Sequence, residues 1–186
     1  MSNSAPASPS LQAAAAAPSR SARAQAAIAD AARATGVDFG YLLAQARIES
    51  SLNPNAKAAT SSASGLFQFT NGTWMQTMQK HGDLLGAGSS TLAALSDPAA
   101  RAQMLALRSD PEASAMMAAG LASDNQAALT GVLGRAPDAS ELYLAHFLGS
   151  DGAGRFLSAL SANPDQSAAA LMPKAAGANR AIFFDG

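Results

Sequence analysis

Helix punctuation is the feature of this sequence that most restricts its fold. Asp97-Pro98 and Asp110-Pro111 each set a capping carboxylate before a proline at the first helical position, where a missing amide N–H costs nothing. Asp138-Ala139-Ser140-Glu141 has the form of a capping box with Asp as the cap, and Gly36 and Gly82 stand where helices are expected to stop. From about Ser21 onward the apolar residues between these marks recur at helical spacing, and the alternation that builds strands is scarce. The expectation is an all-α domain with little or no β structure. EASAMMAAGLASDNQAAL, carrying Met116, Met117, Ala118, Gly120 and Leu121 and few charges, reads as a central buried helix whose Met pair fills the core.

A chain of 186 residues is long enough to bury one such core. Its boundaries are expected at three places. Residues 1–19, rich in Ala, Ser and Pro, cannot bury enough apolar surface to offset ordering entropy and read as a disordered tail or linker. Residues 20–171 read as the folded domain. Residues 172–186 read as a C-terminal tail that loses periodicity, with Ile182, Phe183 and Phe184 apolar enough to dock on the domain.

Composition excludes several kinds of chemistry. With a formal net charge of −1, the chain lacks the clustered Lys and Arg that nucleic acid or an anionic membrane surface selects. No apolar run approaches the roughly 20 residues of a membrane-spanning helix, so no membrane insertion is expected. Without Cys, and with His81 and His146 as the sole histidines, a zinc cluster or a thiol nucleophile lacks its donors, and neither metal nor cofactor is expected. The chemistry must come from carboxylates, hydroxyls and amides.

One carboxylate is oddly placed. In FGYLLAQARIESSL, residues Phe39, Leu42, Leu43, Ala46 and Glu49 recur at helical spacing, so the acid shares the stripe that should face the core, while Gln45 and Arg47 are expected to point elsewhere. Asp38 is the expected N-cap, and Pro54 keeps Asn53 out of helical geometry, which predicts a helix from Phe39 to about Leu52. In its last turn Glu49 meets partial desolvation and the negative end of the helix dipole, and both push a carboxyl pKa upward. That is the property a general acid needs. The competing account is a Glu paired with an Arg or a loop, with no chemistry.

After Asn53-Pro54 comes a Ser/Thr/Ala-rich loop, then Gly65-Leu66-Phe67-Gln68-Phe69-Thr70 and Gly72-Thr73-Trp74. Gly65 permits close backbone approach, and Gln68 offers both a donor and an acceptor, as the hydroxyl and acetamido groups of a sugar require. From about Arg23 to about Leu160 the sequence resembles the lytic transglycosylase family with the soluble-lytic-transglycosylase, goose-lysozyme-like fold. The resemblance is strongest in Glu49-Ser50, Asn53-Pro54, Ser61-Ser62-Ala63, Gly65-Leu66-Phe67-Gln68 and Thr73-Trp74, which are similar to the family's Glu-Ser, Asn-Pro and Gly-Leu-Met-Gln signatures. It implies a lysozyme-like helical domain with a glycan groove between lobes, and Glu49 as the single catalytic acid/base. It also implies that the β-1,4 bond between N-acetylmuramic acid and N-acetylglucosamine in bacterial peptidoglycan is the one cleaved.

The loop from Glu49 to Gly65 is one residue longer than in the best-known members, so the family's groove serine corresponds to Ser61 or to Ser62, or has no counterpart here. The later Ala-Tyr-Asn-Ala-Gly signature falls on Ala145-His146-Phe147-Leu148-Gly149. His146 stands in the tyrosine position there, and Tyr143 lies one turn earlier with reach to the same groove. Gly65, Phe67, Gln68, Tyr143 and His146 thus join the serines as implied substrate-binding residues, although a lone helical His is by default structural.

Glu49 has no obvious partner acid, since Asp97, Asp110 and Glu141 serve as caps and Asp151 falls in a Gly-rich turn. A single acid suits protonation of the glycosidic oxygen followed by attack of the sugar's own C6 hydroxyl, giving a 1,6-anhydromuramoyl end. The alternatives are a hydrolytic muramidase that directs water with Asp110, Glu112, Glu141 or Asp151, and a non-catalytic peptidoglycan-binding or assembly module. Peptidoglycan glycan strands are the expected partner, and a flexible N-terminal tail would suit recruitment to a cell-envelope assembly. A periplasmic or secreted location is expected, reached by a route the first residues do not disclose, because they lack the layout of a signal peptide.

Overall fold

The computed structural model describes residues 18–86 and 97–184. The expected disorder of residues 1–19 falls almost entirely outside them. Helix α1 (Arg20–Thr35) opens on the Ser19 side chain, which accepts from Ala22 N–H, and ends on Gly36 at φ 76°. Helix α2 (Phe39–Ser50) is capped by Asp38 and α3 (Asn71–His81) by Thr70. Gly82 does not stop α3 in a left-handed turn. Its backbone is right-handed, the chain tightens into a 3₁₀ turn over Gly82–Leu85, and Gly86 at φ 68° closes the segment.

Both Asp-Pro pairs start helices, α4 (Pro98–Ala106) and α5 (Pro111–Leu133), with a 3₁₀ turn over Leu107–Ser109 between them. Helix α6 (Ala139–Leu148) opens on the full capping box, Asp138 accepting from Glu141 N–H and Glu141 accepting from Asp138 N–H. Gly149 turns the chain at φ 74°, and SDGAG then forms the first turns of α7 (Ser150–Ala162), so Asp151 lies in a helix rather than a turn. Packing explains this: Gly152 and Gly154 are buried, and a Cβ on either would press on Leu148 or Val132.

Three short helices follow, α8 (Ala168–Leu171), α9 (Pro173–Ala178) and α10 (Arg180–Phe183). The segment beyond Leu171 is therefore helical rather than aperiodic, anchored by the buried Met172 and Ala176. Ile182 and Phe183 line an apolar cavity of about 420 Å³ with Leu144, Phe147 and Phe156, and Phe184 lies under the Arg180 guanidinium.

Helix α5 is the axis of the molecule. It packs most extensively on α1, then on α7, α6 and α3, and it touches α2. Its inward residues are mostly small, among them Ala113, Ser114, Ala115, Ala118, Ala119, Gly120 and Ala122, with Met117 fully buried. Small side chains let neighbouring helices close on it from several directions. Gly120 has a specific reason: a Cβ there would stand 2.8 Å from the His81 ring, which α3 presses onto α5 to pair with Asp124. Among the described residues β structure amounts to two isolated antiparallel bridges, Lys57 with Ser64 and Ser64 with Phe69.

Candidate active site

The site begins with the end of α2. Ser51 and Leu52 both take left-handed backbone, at φ 52° and 62°, so the helix stops two residues before the expected Leu52. Two consecutive side-chain-bearing residues in that region are strained, and they exist to turn the chain sharply. The turn returns Leu52 and Pro54 to the interior, which leaves Glu49 half-buried at the lip of the helix.

The loop that follows is fastened to α2 by Ser50, whose hydroxyl lies 2.8 Å from Leu66 O and 3.1 Å from Ala46 O and donates between them. Inside the loop, Gly65 N–H donates to Ala56 O, and Gln68 Nε2 donates to Gly65 O and Ala56 O. Arg108 Nη1 donates to Ser62 O and Phe69 O. Gly65, at φ 85°, is required because a Cβ would fall 1.9 Å from Arg108 O. Trp74, fully buried, donates to Met104 O and meets the Phe69 ring edge-on at 5.2 Å.

Above this platform α6 brings His146 to Glu49. His146 Nε2 lies 3.1 Å from Glu49 Oε1, and its Nδ1 lies 2.9 Å from Gln45 Nε2. Tyr143 stacks at a tilt beside the imidazole, with centroids 6.0 Å apart, and the Tyr41 hydroxyl reaches Leu142 O at 3.5 Å. Burial, then Tyr143, then the negative charge of Glu49 push the Tyr41 phenol up to about 12; burial and Glu49 raise Tyr143. Both therefore keep their protons at neutral pH. Beside the Glu49–His146 pair, with neither residue in its lining, runs a trough of about 440 Å³ lined by Asp38, Tyr41, Gln45, Ile48, Ser140 and Tyr143. Two larger cavities lie around α7 and the C-terminal helices.

The sequence-derived site residues divide into two groups. Glu49, Tyr143 and His146 come together, and His146 touches Glu49 directly. The others build the loop. Phe67 is 1 % exposed and offers no face to a ligand, Gly65 is buried against Arg108, and Gln68 spends its amide N–H on loop carbonyls. Ser61 Oγ accepts from Ala63 N–H and Ser62 Oγ from Asn71 N–H; both serines are exposed and neither is bonded to Glu49.

Gln45 reverses its expected direction. It is 4 % exposed and faces inward, whereas Phe39, placed on the stripe, is 41 % exposed. The inward face instead carries Tyr41, Gln45 and Glu49 at successive i, i+4 positions beside Leu42 and Ala46. That spacing was the available signal, obscured because a Gln is ordinarily assigned to solvent.

The family model described as the transglycosylase SLT domain matches residues 26–147, more than half of the chain. The match runs from the middle of α1 almost to the end of α6, so it takes in Glu49, the loop and His146.

Proposed function

The chain belongs to the transglycosylase SLT family of peptidoglycan-cleaving proteins, and from that premise we propose that it is a lytic transglycosylase in which Glu49 alone acts as acid and then base. Glu49 protonates the oxygen between N-acetylmuramic acid and N-acetylglucosamine. As the C1–O bond breaks, the C6 hydroxyl of the same muramoyl residue closes on C1 and returns its proton to the Glu49 carboxylate. Atoms balance without water, and the product carries a 1,6-anhydro ring. The setting is the wall-facing side of the cell envelope, with glycan strands lying in the trough beside α2 and α6.

The observation that carries this reading is the solitude of Glu49. Among the described residues its hydrogen-bonding partner is His146, and no second carboxylate or guanidinium joins it. Glu141 is held by Arg135 and by the cap it forms, and Asp110 caps α5. Asp38, which does line the trough, sits eleven residues earlier at the far end of the helix, about 16 Å away at the helical rise of ~1.5 Å per residue. A two-acid mechanism needs roughly 5–9.5 Å.

Mass spectrometry of digested peptidoglycan tests the proposal. Anhydro ends, one water lighter than reducing ends, are expected from the wild type, and Glu49→Gln should lower turnover by about 10²–10⁴-fold. Reducing ends would point to the hydrolytic muramidase, and no wild-type turnover to a binding or assembly module.

A further inference from the structure

Among the described residues the amide of Gln45 has one partner. Its Nε2 meets His146 Nδ1, and its Oε1 is buried with no hydrogen bond. An unmet buried carbonyl is a cost that an apolar side chain of the same size would avoid, so packing alone does not account for Gln here. What the amide does control is the imidazole. A neutral imidazole holds one ring proton, and a donor placed on one nitrogen drives that proton to the other. With the Gln45 amide N–H directed at Nδ1, the proton sits on Nε2 and points at Glu49 Oε1, 3.1 Å away.

The effect reaches the carboxyl group. An Oε1 already accepting from Nε2–H is a poor seat for a proton, so a protonated Glu49 carries it on Oε2. The opposite tautomer would make Nε2 an acceptor and hold the Glu49 proton on Oε1, bonded to the imidazole instead of available to a glycosidic oxygen. Taking Glu49 as the acid/base of the proposed function, we infer that Gln45 is a positioning residue that fixes the His146 tautomer and so keeps the transferable proton of Glu49 on Oε2. Among the described residues, the titratable groups around this chain of bonds are Glu49 and Tyr41 on α2 and Tyr143 on α6, with Asp38 on the trough that Gln45 also lines. Helix α5 contributes Leu121, Ala122 and Asn125 to the adjoining wall and the loop contributes Phe69, none of which titrates.

The test combines ¹⁵N NMR of the imidazole in the full chain, His146 being distinguished from His81 by the His146→Phe variant, with the pH profile of kcat on peptidoglycan. Folded wild type is expected to show the Nε2–H tautomer. Gln45→Met, similar in volume but without the amide, should give mixed tautomers and about tenfold lower kcat at unchanged KM, the size of one neutral hydrogen bond. It should have no further effect in the His146→Phe background. Gln45→Glu offers Nδ1 only an acceptor, so the imidazole should stay doubly protonated to higher pH. That positive charge favours the Glu49 carboxylate, and the alkaline limb of kcat should move to lower pH.

An Nδ1–H tautomer in wild type overturns the inference whether or not any variant folds. So does a tautomer unchanged in folded Gln45→Met, or variant pH profiles that superimpose on wild type. Failure of the proposed function looks different: an inactive protein whose His146 tautomer still follows residue 45.

Discussion

Ser50 shows how a single hydroxyl ties the end of α2 to the loop. Its proton is shared between Ala46 O and the carbonyl of Leu66, a residue wholly inside the core. Replacing Ser50 with Ala leaves that carbonyl without its partner, and an unmet buried acceptor costs about 1–3 kcal/mol. Denaturant unfolding should register that loss, and kcat should fall as well, because the loop and the last turn of α2 would no longer be held in register. A Ser50→Ala variant with wild-type stability and rate would remove Ser50 from this role. Glu49 and His146 differ in kind from Ser50. The bond between them joins the end of α2 to α6 across 97 residues of chain, and His146 also meets Gln45.

At the scale of the element, the turn after α2 and the loop it launches carry three non-glycine residues with positive φ: Ser51, Leu52 and Gln68. Strain gathered there keeps Glu49 at a helix lip instead of in a continuing helix. Ser51 is exposed, so Ser51→Gly should relieve left-handed strain without losing packing. After the entropy a glycine adds to the unfolded chain, stability should rise by about 0.5–1 kcal/mol, or roughly 1–4 °C in Tm for a domain of this size. A lower melting temperature would show that the Ser51 side chain contributes more than the strain costs. Gly65→Ala should act in the opposite sense. Its Cβ would overlap a backbone carbonyl that cannot swing aside, and about 3 kcal/mol of destabilisation is expected, with the Arg108 contacts to the loop lost. Unfolding curves matching the wild type would contradict the close approach of Arg108.

For the whole molecule, the charged contacts predict how stability follows pH. Burial acts to raise the Asp124 carboxyl, but hydrogen bonds from Lys80 and His81 outweigh it and hold it below its ordinary value. Arg135, then the Asp138 N–H, bring Glu141 down from 4.5 to about 2. A carboxyl depressed in the fold contributes stability above its unfolded pKa and loses it as pH falls through the folded value. The Arg135–Glu141 contribution should thus fade between about pH 4.5 and 2, by a modest amount because the pair is open to solvent. At the alkaline end the sign is reversed. Tyr41, raised from 10 to about 12, favours the fold below pH 10, and that contribution is lost as pH climbs toward 12. Melting temperatures across both windows, with Glu141→Gln and Tyr41→Phe as controls, check the two limbs. An acid limb unaltered by Glu141→Gln would show that other carboxyls govern it.

Sequence by itself determined whatever depends on near neighbours along the chain. Asp38, Asp97, Asp110 and Asp138 cap helices because the amides they bind lie two or three residues away. The small-residue face of α5 and the position of Glu49 in the last turn of α2 follow from spacing within one helix. Tertiary structure alone decided the inward turn of Gln45, the burial of Phe67 and the approach of His146 to Glu49. Those outcomes depend on where a later helix crosses an earlier one, and the bonds from Gln45 and Glu49 to His146 span 101 and 97 residues. Nothing in local propensity or periodicity encodes that crossing; it is set by how closely α5 lets its neighbours pack.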